Sequence, residues 1–155
     1  MTKKQKRILI LLAVIPLLVT LFIFSNSLKD SASSNAVSDR VIEWLRPILD
    51  RIFPDVALQN FLVRKLAHVL EFAMLGIAIA LFHRYVQNYC GKHFYGFACF
   101  YGLAVAVIDE LIQSISDRTD SVQDVCLDFS GYMIGVLLMI GIFLLTDHRN
   151  KLKKL

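Results

Sequence analysis

Four long apolar stretches divide the chain, and polar residues collect between them. Residues 8–24 read ILILLAVIPLLVTLFIF and carry no charge. At about 1.5 Å per residue a helix of that run reaches roughly 25 Å, close to the hydrocarbon thickness of a bilayer. Further runs occupy residues 61–82, 94–115 and 125–145, each with its charges toward one end. The pattern predicts an all-α integral membrane protein: a single domain over residues 1–155 with four transmembrane helices. No internal repeat is visible.

The interval 25–60 opens polar and serine-rich, then turns into VIEWLRPILDRIF. Val41, Ile42, Leu45, Ile48, Leu49 and Ile52 recur there at helical spacing. Ser38 and Asp39 are suitable caps, and Pro47 bends or breaks the helix. The expectation is a short amphipathic helix over about 38–53 in the first outer loop, lying on the membrane surface or packing on protein. Ser25 and Ser27 also fit the small-residue positions of a signal-peptide cleavage site. The length of the preceding apolar run and its central Pro16 favour a retained helix.

Composition agrees with a membrane chain: 56% of residues are hydrophobic and 19% charged. The net charge of +4 invites a nucleic-acid partner. Its distribution argues against one, because the basic residues flank the apolar runs, where they set topology. Lys3, Lys4, Lys6 and Arg7 precede the first run, Arg84 and Lys92 lie between the second and third, and Arg149, Lys151, Lys153 and Lys154 follow the fourth. With four crossings these segments share one side, and the positive-inside rule makes that side cytoplasmic, with both termini. Cys90, Cys99 and Cys126 have neither zinc nor redox spacing and are expected as small buried apolar groups.

This topology concentrates the polar residues of the helices near the outer face. The second run begins with Arg64, Lys65, His68 and Glu71; the third ends with Asp109, Glu110 and Gln113; the fourth begins beside Asp124 and Asp128. Arg118 and Asp120 sit in the loop between the last two. Arg64, His68 and Glu71 share one helical stripe, as do Asp128, Gly131 and Gly135 with Asp124. Being adjacent, Asp109 and Glu110 point to different sides, so one joins the cluster and the other caps or meets water. Gly131 and Gly135 form a small-xxx-small pair that admits another helix closely and offers a face for self-association. A charge at the bilayer centre costs about 2.5–3.5 kcal/mol on insertion scales, so such groups need partners.

Several chemistries fit these residue types. Arg64, Lys65, Gln113 and Arg118 suit a phosphate-bearing ligand. His68, Glu71, Asp109, Glu110, Asp124 and Asp128 are candidates for acid–base work, and His68, Glu71, Asp124 and Asp128 for a metal. The sequence specifies no cofactor. The bland alternatives are interfacial anchoring by Arg64 and Lys65 and a hydrogen-bonded structural role for the remainder.

RKLAHVLEFAMLG (64–76), DELIQ (109–113), Arg118 and DVCLDFSGYMIG (124–135) together resemble the VanZ-like family of bacterial membrane proteins. FSNS (24–27), at the exit of the first run, looks similar too. The resemblance implies a four-helix protein of the bacterial plasma membrane, linked to glycopeptide and especially teicoplanin resistance. It supplies no catalytic assignment. An outward site points to a membrane lipid or lipid-linked cell-wall precursor as partner, bound or modified. The alternatives are an intramembrane hydrolase or transferase using the His/Glu/Asp cluster, and a structural subunit of a membrane complex. A transport path through one copy is disfavoured, because the inner halves of the runs carry no charge.

Overall fold

The computed structural model describes residues 1–28, 43, 55–115 and 121–152. They form four helices: α1 (Lys3–Ser27), α2 (Val56–Cys90), α3 (Tyr95–Ile115) and α4 (Val122–Leu152). All four are long and apolar enough to cross a membrane. The amphipathic helix expected over 38–53 lies outside the described residues, as does Arg118.

Local chemistry sets the helix ends. Thr2 and Gln5 form a capping box at the start of α1: the Thr2 side chain accepts from the Gln5 N–H at 3.2 Å, and the Thr2 N–H donates to Gln5 Oε1 at 2.7 Å. Gly91 stops α2 with φ 64°, and its N–H bonds Gln87 O at 3.1 Å. Only glycine adopts that left-handed turn without steric cost. The Ser121 hydroxyl accepts from the Gln123 N–H and starts α4. Two helices run past their apolar stretches. α2 has 35 residues, about 52 Å at 1.5 Å each, against a hydrocarbon core of roughly 30 Å. Its ends therefore reach the headgroup zones, where a helix needs no apolar side chains.

Large apolar side chains cover the outside of the bundle, among them Leu17, Leu70, Phe100, Leu137 and Leu144. In a bilayer that surface faces lipid, so apolar burial between the helices drives little; close packing and polar contacts hold them together. The three cysteines follow the same logic. Expected inside, they are exposed on the bundle surface, where the lipid-facing parts of a span accept a thiol as readily as a core would.

The most extensive interface joins α2 and α4, and glycine makes it close. A Cβ on Gly76 would collide with Tyr132 O, one on Gly131 with Val69 O, and one on Gly135 with Ala73 O. The pair Gly131 and Gly135 thus seats α2 of the same chain, which corrects the expectation that it offers a face for a second copy. Gly102 of α3 likewise makes room for the Tyr132 ring, and the Tyr132 hydroxyl donates to Ala98 O at 2.7 Å. Phe72, Leu75, Ile79, Val105, Ala106, Tyr132 and Ile23 fill the middle of the bundle.

The two chain-terminal helix ends and the α2–α3 connection meet at one end. Arg84 pairs with Asp147 at 2.5 Å and lies over the Phe143 ring, and the Tyr85 hydroxyl donates to Gln5 O at 3.0 Å. The polar residues singled out in sequence are at the other end. If the glycine contact sets the bundle, Gly135→Leu should destabilise the protein by about 1–3 kcal/mol or more through overpacking. Gly141→Leu, with nothing within 4 Å of its Cβ position, should change stability by less than about 0.5 kcal/mol. Thermal melts of both variants in detergent check this.

Candidate functional site

The α2–α4 approach carries polar groups with it. Beside the Gly131–Val69 contact, α4 presents Asp128 about one turn before Gly131, and α2 presents His68 next to Val69. Asp128 is 2% exposed. α3 ends between these helices and adds Asp109, which has no exposed surface. α1 finishes against the same place and supplies Asn26 and Ser27.

Asp109 is the hub. Its Oδ1 accepts from the Ser27 hydroxyl at 2.6 Å, and its Oδ2 accepts from Gln113 Nε2 at 2.8 Å. His68 Nδ1 approaches Asp109 Oδ2 to 3.8 Å, within ion-pair range and beyond a hydrogen bond. Glu71 Oε1 accepts from Asn26 Nδ2 at 2.7 Å. So α1, α2 and α3 are tied through carboxylates at one level of the bundle. Asp128 completes the level from α4, and its Oδ2 is buried without a hydrogen-bond partner.

Around this centre lies a more open rim. Lys65 and Asp124 form an ion pair, each about a fifth exposed. The Lys65 amine also lies 5.4 Å from the Phe61 ring centroid. Arg64 is half-buried and forms no ion pair among the described residues. Glu110 is buried at 4% exposure, and its Oε2 accepts from the Ser121 N–H at 3.1 Å. Of the adjacent acids, Asp109 therefore joins the cluster and Glu110 holds the start of α4.

Most of the residues proposed from sequence come together: Lys65, His68, Glu71, Asp109, Glu110, Gln113, Asp124 and Asp128 stand at one end of the bundle. The possible metal set differs from the one read in sequence. His68, Asp109 and Asp128 each offer a ligand atom, all within 4.8 Å of one another. Glu71 and Asp124 are not in that group; Asn26 holds the first and Lys65 the second. Asn26 and Ser27 were missed as site residues. Their signal was the FSNS segment, whose two serines fit a cleavage site equally well.

The sequence model of the family described as VanZ/LLP1 matches residues 8–145, from the start of the first apolar run to the end of the fourth. Neither the curated proteins nor the solved structures contain a match.

A buried hydrogen bond to a charged acceptor is worth about 1.5–3 kcal/mol. Ser27→Ala is therefore expected to lower unfolding stability by about that amount, because it removes a donor from buried Asp109. Ser130→Ala, whose hydroxyl is exposed and bonds only Cys126 O within its own helix, should change it by less than about 0.5 kcal/mol. Melting the two variants side by side reads the difference.

Proposed function

The chain belongs to the VanZ/LLP1 family, and from that premise we propose that it binds the phosphate-bearing headgroup of an envelope lipid or lipid-linked cell-wall precursor at the polar end of its bundle. The family is linked to teicoplanin resistance, and glycopeptides meet their target at the outer face of the membrane. The observation that carries the reading is the meeting of all four spans at one buried polar level, rimmed by Lys65 and Arg64.

The charge pattern supports an outward orientation. The opposite end carries Lys3, Lys4, Lys6, Arg7, Arg84, Lys92, Arg149 and Lys151, and short basic segments stay in the cytoplasm. The site then opens at the outer headgroup level. A headgroup arriving laterally places its acyl chains along the apolar outside of the helices and its phosphate at the rim. Lys65 and Arg64 supply compact and forked positive charge there, and the buried acids behind them exclude a second anion from going deeper.

Binding is favoured over hydrolysis or transfer. The serine at the site, Ser27, has no exposed surface and donates its hydroxyl to Asp109, which keeps it out of reach of a headgroup. The expected result is that envelope phospholipid or undecaprenyl-linked precursor co-purifies with the wild type. Arg64→Gln and Lys65→Gln should each reduce its amount at least about fivefold, a loss of roughly 1 kcal/mol. Mass spectrometry of extracted lipid per mole of folded protein measures this. Equal lipid in all three proteins would refute the headgroup reading.

A further inference from the structure

We infer that His68, Asp109 and Asp128 form a binding site for one divalent transition-metal ion, of the Zn²⁺ or Mn²⁺ class. The inference names the centre of the site proposed above. It rests on that reading for what the ion does and not for its presence.

Three donors from three helices converge here: an imidazole from α2 and carboxylates from α3 and α4. Their ligand atoms lie within 4.8 Å of one another, and His68 Nδ1 is 3.8 Å from Asp109 Oδ2. Metal bonds of about 2.0–2.2 Å put ligand atoms about 3–4 Å apart, so small side-chain rotations close the set on an ion. One nitrogen and two oxygens form a borderline donor set, which suits zinc or manganese and is unlike the all-oxygen sets of calcium.

The independent sign of a missing partner is Asp128. It is 2% exposed, and its Oδ2 has no hydrogen-bond partner. A buried carboxylate oxygen in that state is costly unless a cation or a proton meets it. No Lys or Arg forms an ion pair with Asp128 or its neighbour Glu110 among the described residues. The surroundings of Asp109 also suit a ligand. Ser27 and Gln113 each donate to it, as outer partners do when they orient a metal-binding carboxylate.

An ion at this level changes what the rim can recognise. Two buried carboxylates repel a phosphate, whereas a divalent ion between them attracts one and leaves coordination positions for its oxygens. Deep acids and an anionic ligand are then compatible in one site.

The test uses the full chain, without a histidine tag, in lipid nanodiscs. Protein stripped with chelator and desalted is titrated separately with Zn²⁺ and Mn²⁺. Bound metal is read by inductively coupled plasma mass spectrometry, and the rise in melting temperature is followed in parallel. The wild type should take up about one equivalent of one of these ions and melt higher with it. Asp128→Asn and His68→Gln should each lose at least about tenfold in affinity while melting like stripped wild type without metal. His68→Gln, at the less buried position, decides the question if Asp128→Asn does not fold. His93→Ala, at the opposite end beside His83, should bind as the wild type does. No stoichiometric uptake by the wild type would overturn the site and leave a shared proton as the explanation. Uptake that survives both site variants, or is lost only in His93→Ala, would overturn it too. Lipid measured on the same samples separates the two proposals. Lipid retained without metal refutes the ion alone, and metal bound without lipid refutes the headgroup alone.

Discussion

Asp109 is a carboxylate with no exposed surface inside a bundle that spans a membrane, and much of the architecture answers to it. Within hydrocarbon, polar groups must find partners in the protein or in what it binds. Ser27 brings the end of α1 to Asp109, Gln113 holds it from one turn along α3, and His68 faces it from α2. Asp128 closes the ring from α4. The arrangement is possible because glycines at 76, 131 and 135 let α2 and α4 meet backbone to backbone. Bulkier residues there would force apart the two helices that carry His68 and Asp128.

The two ends of the bundle are polar for different reasons. At the terminal end, Arg84 and Asp147 pair with side chains 27% and 46% exposed, and exposed pairs contribute little stability. They tie helix ends at an interface that has water and headgroups to hand. At the other end Asp109, Glu110 and Asp128 are buried to within a few per cent, and replacing such buried charges by a hydrophobic cluster of the same volume is often neutral or stabilising. A polar centre in such a place is better explained by what it meets than by what it holds together. That contrast, more than any single contact, supports a binding role for the end with the buried acids.

The spans were legible because the bilayer demands long apolar runs, and the shared side of the termini followed from counting them. The polar cluster was legible as well. His68 and Glu71 lie on one stripe, Asp109 and Gln113 are one turn apart, and the basic flanks assign all of these to one end. What failed has physical causes. Asn26 and Ser27 are small residues at a helix exit, where site, cap and cleavage motif look alike. Which helix the Gly131 and Gly135 face would seat could not be read, since small residues admit any neighbour. The lengths of α2 and α4 exceed their apolar runs because helices continue through the headgroup zone without a hydropathy signal. The cysteines were misplaced by a rule from water-soluble cores, where exposure means water and not lipid.

The central claim is that the buried polar level works on something outside the chain. Teicoplanin susceptibility tests it most directly, in a bacterium lacking the protein and in strains expressing wild type or Asp128→Asn at matched membrane levels. Asp128 bonds no protein group through Oδ2, so Asp128→Asn breaks no bond at that oxygen while removing the charge offered to a ligand, and matched membrane levels check that the fold is kept. The account predicts that the wild type lowers susceptibility and that Asp128→Asn, equally abundant, does not. Equal protection by both proteins would contradict it and reduce the cluster to internal scaffolding.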